Sequence, residues 1–136
     1  MSANRAMAVL AGLWAGILLA IGLIGAPAGF ATLAVPADAG RVAGRMFAQE
    51  AYLGLGAAIV LFLLERSRAR RAAEAGQGSA LNANMLLLLG ALFCTVAGYF
   101  ALQPMMAAAR AGQGPWSFGA LHGVSAAFFG LKALLV

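Results

Sequence analysis

The sequence predicts an all-α fold: a polytopic membrane protein in which an antiparallel bundle of four transmembrane helices forms one domain over residues 1–136. Composition is the first observation, because 63% of the residues are apolar and 10% are charged, whereas roughly a quarter of a soluble domain is charged. The second is that residues 6–37, 75–109 and 111–131 contain no Asp, Glu, Lys or Arg. Each run reaches the ~20 residues that cross a bilayer. These features exclude an ordinary soluble globule and a disordered chain.

The first helix is expected at about residues 7–25. Gly12 and Gly16 stand in the GxxxG spacing that lets membrane helices approach closely. The competing interpretation is a secretory signal peptide cleaved after an Ala26-Pro27-Ala28 motif. Because the apolar run at 6–24 exceeds the ~7–15 residues typical of such peptides, we expect the helix to be retained.

The second helix is expected at about residues 39–65. Pro27 and Pro36 interrupt the chain before it, and Asp38 is the expected N-cap. The arginine-rich segment 66–71 and a polar stretch follow, and we expect both to lie in a connection outside the membrane.

The third helix is expected at about residues 84–103, with its end set by Pro104. A loop containing Gly112, Gly114 and Pro115 then leads to the fourth helix, at about 117–135. Structural roles are predicted for the helix-breaking prolines and for glycines that repeat the GxxxG spacing, which we expect to pack helices within the chain rather than between copies: Pro27, Pro104, Gly40, Gly44, Gly119 and Gly123.

The basic residues predict the orientation, since cytoplasmic segments of membrane proteins are enriched in Lys and Arg. With both termini on one side, that side would hold Arg5, Arg66, Arg68, Arg70, Arg71 and Lys132, and the other would hold Arg41, Arg45 and Arg110. Six cations against three place both termini in the cytoplasm. Eight arginines against one lysine, with abundant Ala and Gly, favour a bacterial inner (plasma) membrane.

Helix 2 carries a charged residue that must lie inside the membrane. Only 14 uncharged residues separate Glu50 from Glu65, and at 1.5 Å each they cover ~21 Å of a ~30 Å hydrocarbon core. Extension toward Glu65 would bring in four arginines, whereas extension toward Met46 brings in only Glu50. An intramembrane carboxyl needs a partner or a proton. We therefore expect Glu50 to point inward, toward another helix or water.

Other polar side chains fall at a similar depth and predict a polar pocket in the outer half of the bundle. The candidates are Glu50, His122, Tyr99, Gln103, Arg45, Gln49 and Ser125. Intramembrane ionisable groups are functional by default. The alternative is structural: His122 could simply donate a hydrogen bond to a helix carbonyl or to Glu50.

Chemistry beyond binding has little support in the sequence. Phosphate-binding loops, HExxH, CxxC and nucleophile-elbow motifs are absent, so no catalytic residue, cofactor or nucleic-acid partner is predicted. Met and His can hold copper(I), and the weak metal candidates are His122, Met46, Met105 and Met106. Met is more often flexible core filling, and Cys94 behaves as a small apolar residue.

Four motifs together resemble a known family. They are Pro27-x-x-Phe30, the Ala39-Gly40-Arg41-x-x-Gly44-x-x-Phe47 run, Gln103-Pro104-Met105, and Phe118-x-x-Leu121-His122-x-x-Ser125. Their order resembles the transmembrane protein 205-like family (domain of unknown function 4149). The resemblance implies four membrane helices, a retained first helix and no established activity. It also implies shared positions at Pro27, Phe30, Gly40, Gly44, Phe47, Pro104, His122 and Ser125.

One position departs from the family pattern. Relatives often carry a polar residue, commonly Asn, a turn after the serine, where this chain reads Ala126-Ala127-Phe128-Phe129.

The expected function is a non-enzymatic inner-membrane protein whose outer pocket binds or passes a small solute or ion, with an oligomer needed for transport. The alternatives are a copper or haem redox protein and an assembly partner of another membrane protein.

Overall fold

The computed structural model describes residues 2–136 and contains four long helices. We number them α1 (Ala3–Thr32), α2 (Pro36–Glu74), α3 (Ala83–Arg110) and α4 (Phe118–Leu135). All four are long and apolar enough to cross a membrane, and the described residues contain no strand. Their exposed faces carry large aliphatic side chains such as Leu23, Leu53 and Leu86, as expected for contact with lipid. The prediction of an all-α, four-helix membrane fold is confirmed.

Both prolines predicted to end helices lie inside them. The chain widens into a π-helical segment at Ala20–Gly25, just before Pro27, and again at Val96–Ala101, just before Pro104. A proline lacks the N–H that would bond the carbonyl four residues earlier, and its ring crowds that carbonyl. A wider turn relieves the crowding, so α1 continues to Thr32 and α3 to Arg110. The expected helix ends at residues 25 and 103 were therefore wrong.

Helix α2 also exceeds its expected end at residue 65. The arginine-rich segment remains helical through Glu74 because Arg and Ala favour helices and because ion pairs link adjacent turns. Arg68 pairs with Glu65, and Arg70 pairs with Glu74. At the other end Asp38 is not the N-cap. It lies in the first turn, where its carboxylate binds the Arg41 guanidinium at 2.5 Å.

The packed core lies near the middle of the bundle. Trp14, Leu18, Ala58, Leu61 and Ala91 are buried together, which joins α1, α2 and α3. Alanines at these positions let the helices approach closely. Phe129 and Ala133 of α4 pack against this cluster, so the core holds the four helices together between two ends of the bundle, each with a cavity.

The two ends are defined by the side chains that surround those cavities. Asn4, Glu65, Asn84 and Val136 surround one cavity, at what we call the terminus end. The other cavity is surrounded by side chains from the C-terminal part of α1, the start of α2, the end of α3 and the start of α4. We call this the loop end, because the connections 33–35 and 111–117 lie there.

At the loop end the helices separate into two pairs. The last segment of α1, Ala26–Thr32, packs against α2, whereas the last segment of α3, Leu102–Arg110, packs against α4. The pairs meet deeper in the bundle, where the Phe47 and Phe129 rings make an edge-to-face contact at 5.0 Å. Above that contact, the space between the pairs forms the larger cavity.

The glycines that pack the bundle are not those in GxxxG spacing. A Cβ atom at Gly12, Gly16, Gly119 or Gly123 would meet no atom within 4 Å, and the same is true of Gly40 and Gly44, so the predicted packing role of these glycines was wrong. The close approaches occur elsewhere. A Cβ at Gly98 would overlap the Phe128 Cβ, and one at Gly54 would lie 2.7 Å from a Glu50 carboxylate oxygen.

Candidate functional site

A cluster of three polar side chains from three helices lies in the interior of the bundle. The Lys132 ammonium donates a 2.6 Å hydrogen bond to Glu50 Oε2, and the Trp14 indole N–H donates one of 3.1 Å to Oε1. Glu50 and Lys132 are only 1% and 3% exposed. Each carboxylate oxygen thus has a donor, which meets the requirement that a charge inside a membrane be paired.

Lys132 was expected on the cytoplasmic side as an orientation marker, and this was wrong. Its side chain turns into the bundle because Glu50 offers a carboxylate there. The sequence spacing of α4 could have predicted this position, because residues 122, 125, 129 and 132 follow the helical period. All four line the larger cavity. His122, the partner considered from the sequence, instead stacks on Phe118 with the ring centroids 5.7 Å apart.

The larger cavity has a volume of about 910 Å³ and extends from the loop end to the Glu50–Lys132 pair. Its walls come from all four helices. Glu50 and Lys132 each lie 14 residues into their helix from the loop end, a path of ~21 Å at 1.5 Å per residue. The space falls within the ~300–1,000 Å³ range of small-molecule sites.

Side chains change character with depth in this cavity. Arg41 and Arg110 stand at the loop end, where the Arg110 guanidinium lies 4.5 Å from the centre of the Phe118 ring. Tyr99, Gln103 and His122 follow below them. Phe47 and Phe129 lie one turn above Glu50 and Lys132 on the same helices, and these four side chains line the deep end of the cavity. The Lys132 Nζ is 5.3 Å from the Phe129 ring centre, close enough for a cation–π contact.

A π-helical turn contributes one further polar contact to the wall. The Ser125 hydroxyl donates a 2.7 Å hydrogen bond to the carbonyl of Gly98, inside the π-helical segment of α3. The bond crosses from α4 to α3 beside the place where the missing side chain of Gly98 admits Phe128. Ser125 therefore fixes the wall formed by α3 and α4.

Comparison with known proteins supports the fold-level conclusion. The family model described as Domain of unknown function (DUF4149) matches residues 9–114, which is most of the chain. The chain belongs to the DUF4149 family. It is a multi-pass membrane protein of that family. No curated protein and no solved structure matches it.

The DUF4149 match covers most of α1 and all of α2 and α3, and it stops before α4 begins. Trp14 and Glu50 lie within the matched segment. Lys132, His122 and Ser125 lie beyond it. The family assignment therefore does not itself account for the Glu50–Lys132 pair.

The structure brings together five of the seven predicted pocket residues of this DUF4149 protein. The cavity is lined by Glu50, Tyr99, Gln103, His122 and Ser125. Arg45 and Gln49 do not line it, and both are exposed on the surface of α2. Trp14, Lys132 and the arginines at the loop end were not among the predicted pocket residues.

The weak metal candidates separate in the structure. Met106 lines the cavity together with His122. Met46 packs against α1, with its sulfur 3.1 Å from the position of a Cβ at Gly25, and Met105 is 40% exposed. Residues 2–136 contain no cluster of three or more His, Cys, Asp or Glu side chains that could hold a metal ion.

A second polar network lies at the terminus end. The buried Glu65 carboxylate accepts hydrogen bonds from Arg68, at 2.6 and 2.9 Å, and from Asn82, at 2.6 Å. Asn82 also accepts a bond from the Met85 N–H at the start of α3. The network joins α2 to α3 beside the smaller cavity, of about 380 Å³. The polar groups of this network satisfy one another's hydrogen bonds, which indicates a structural role.

Proposed function

We propose that this protein binds or passes a small molecule through the cavity at the loop end. In this proposal the loop end faces the outer side of a bacterial inner membrane and both termini lie in the cytoplasm. Without Lys132, five arginines (Arg5, Arg66, Arg68, Arg70 and Arg71) remain on the proposed cytoplasmic side, against Arg41, Arg45 and Arg110 on the other. The excess still favours this orientation.

The observation that carries the proposal is the Glu50–Lys132 pair at the deep end of the cavity. Well-packed apolar residues commonly stabilise a protein interior as well as a buried ion pair does, or better. Stability alone therefore does not require Glu50 and Lys132 at this depth. Their place in the wall of a cavity of about 910 Å³ favours a role that depends on the cavity.

The proposed role is binding or passage rather than catalysis, and it needs no cofactor. The cavity provides cations, an imidazole, a phenol and an amide on apolar walls, which are groups that orient a ligand. No specific contact among residues 2–136 favours the copper, haem or assembly-partner roles. Passage of a solute through so thin a bundle would require several copies together.

Cysteine accessibility tests the proposal. In a Cys94→Ser background, single cysteines are placed at Gly44, which lines the cavity, and at Gly16, which lies on the outer face of α1. A Cβ atom at either position would meet no other atom within 4 Å, so both substitutions fit. A hydrophilic, membrane-impermeant maleimide should label Gly44→Cys from the outer side of intact cells and should leave Gly16→Cys unlabelled, because acyl chains cover that face.

A third single cysteine fixes the orientation. Ser79 is exposed in the connection between α2 and α3, so Ser79→Cys should react only after the membrane is permeabilised. If Ser79→Cys reacts in intact cells, the proposed orientation is wrong. If Gly44→Cys stays unlabelled in permeabilised membranes in which Ser79→Cys reacts fully, the cavity is closed to solutes and the proposed function fails.

A further inference from the structure

We infer that the ligand is a single-chain anionic lipid, with its acidic head group at the arginines of the loop end and its acyl chain along the apolar side chains of the cavity wall. This inference rests on the proposed function and adds the chemical class of the ligand. It follows from three features of the cavity: the sign of its charge, the apolar side chains along its walls, and its position between two helix pairs.

The charge of the cavity is positive at the loop end. Glu50 is the only acidic side chain among the lining residues, and Lys132 neutralises it at the deep end of the cavity. Arg41 and Arg110 are the remaining lining cations. Asp38 forms an ion pair with Arg41. The Arg110 guanidinium lies over the face of Phe118, which leaves its N–H groups available to a ligand. An arginine fork of this kind suits a carboxylate or a phosphate.

Phe118 extends the anion site by stacking on a second ring. Arg110 lies on Phe118, and Phe118 is nearly parallel to His122, with 15° between the ring planes. The stack brings a guanidinium and an imidazole to one side of the cavity. Both groups donate hydrogen bonds, and Gln103 on the adjacent helix adds an amide.

Apolar side chains line the cavity both near the loop end and at its deep end. Phe30 and Met106 lie near the loop end, and the Phe47–Phe129 contact lies one turn above the Glu50–Lys132 pair, so aromatic and thioether surface is present at both levels. A small hydrophilic anion would leave this surface in contact with water. A ligand with an acidic head and an apolar chain satisfies both the cations of the loop end and the apolar walls.

The opening of the cavity favours a ligand that comes from the bilayer. At the loop end α1 packs on α2 and α3 packs on α4, and the cavity lies between the pairs. A gap between helix pairs at the level of the lipid head groups admits an acyl chain sideways. The arginines then lie at the depth at which lipid head groups are found.

Binding of a fluorescent fatty acid tests the inference. The probe is 11-(dansylamino)undecanoic acid, added to the protein in neutral-lipid nanodiscs, with empty nanodiscs as the background. We expect saturable enhancement of dansyl emission. Palmitate should displace the probe. Methyl palmitate should displace it only at a concentration roughly tenfold higher or more, because the ester cannot form the charge-assisted hydrogen bond.

Two pairs of variants locate the site. Arg110→Gln should weaken probe binding roughly tenfold or more, whereas Arg66→Gln, which removes a cation at the opposite end, should not. Gly44→Leu should abolish binding by filling the cavity, whereas Gly16→Leu on the outer face of α1 should leave it unchanged.

Each contrary result overturns a defined part of the inference. Equal displacement by palmitate and its methyl ester would show that the head-group charge is not recognised. Displacement by acetate or inorganic phosphate at similar concentrations would identify a soluble anion site instead of a lipid site. Absence of any saturable binding, combined with labelling of Gly44→Cys, would reject the lipid and leave the proposed function standing. Unlabelled Gly44→Cys would reject both.

Discussion

Removal of the Lys132 ammonium should leave an unpaired carboxylate inside the membrane. At 2.6 Å and an effective dielectric constant of ~20, the Glu50–Lys132 attraction is about 6 kcal/mol before desolvation is subtracted. Breaking one side of such a pair typically costs about 3–5 kcal/mol, because the other charge stays buried. We therefore expect Lys132→Met to lower the free energy of unfolding by about 3–5 kcal/mol.

The double variant separates the pair energy from the cost of burial. In Glu50→Gln/Lys132→Met both charges are gone, while the glutamine still accepts the bond from the Trp14 indole. The double variant should therefore be more stable than Lys132→Met alone, and the coupling energy should reach about 2 kcal/mol or more. Arg66→Met, which removes an exposed cation on α2, should change stability by less than about 0.5 kcal/mol.

Equilibrium unfolding by SDS in mixed micelles measures these differences. Emission from Trp14 follows the site directly in a Trp116→Phe background, because its indole N–H is bonded to the Glu50 carboxylate. Additive effects of the two substitutions would refute the ion pair. So would a Lys132→Met variant as stable as the Arg66→Met control, since a lysine that snorkels to the interface could be removed at little cost.

Three further substitutions probe the packing around the same cluster. Gly54→Ala should destabilise by about 1–3 kcal/mol, because its Cβ would lie 2.7 Å from a Glu50 oxygen, and Gly56→Ala, with no atom within 4 Å, should show no loss by the same unfolding assay. Trp14→Phe keeps an aromatic ring but removes one donor from the carboxylate, so a loss of about 1.5–3 kcal/mol is expected; because this variant lacks the reporter tryptophan, its SDS unfolding is followed by far-UV circular dichroism. Ser125→Ala removes the bond to the π-helical turn of α3 and should cost ~0.6 kcal/mol, with ~1.7 kcal/mol as an upper value; a larger loss would show that the hydroxyl does more than join two helices.

Much of the fold followed from composition and spacing. Long charge-free runs predict membrane helices because the hydrocarbon core admits few charges, and all four helices are present. Their ends were predicted poorly at Pro27 and Pro104, where the rule that proline stops a helix applies to soluble helices more than to membrane helices. The π-helical turns that accommodate both prolines depend on packing against neighbours, which one sequence does not reveal.

The candidate site was predictable in part. The short run between Glu50 and Glu65 placed a carboxyl inside the membrane, and helical spacing put His122 and Ser125 on one face of α4. Lys132 belongs to the same face, but its position near the end of the helix suggested an orientation marker. Only the meeting of α2 and α4 shows that this lysine is the partner of Glu50.

The sequence by itself determined that the chain crosses a membrane and that one carboxylate lies inside it. Both conclusions follow from the cost of removing charge from water, which depends on residue type and on distance along a helix. Tertiary structure decided which groups satisfy that carboxylate. Trp14 and Lys132 lie 36 and 82 residues away from Glu50 in the chain, so only the packing of α1 and α4 against α2 brings their donors to it.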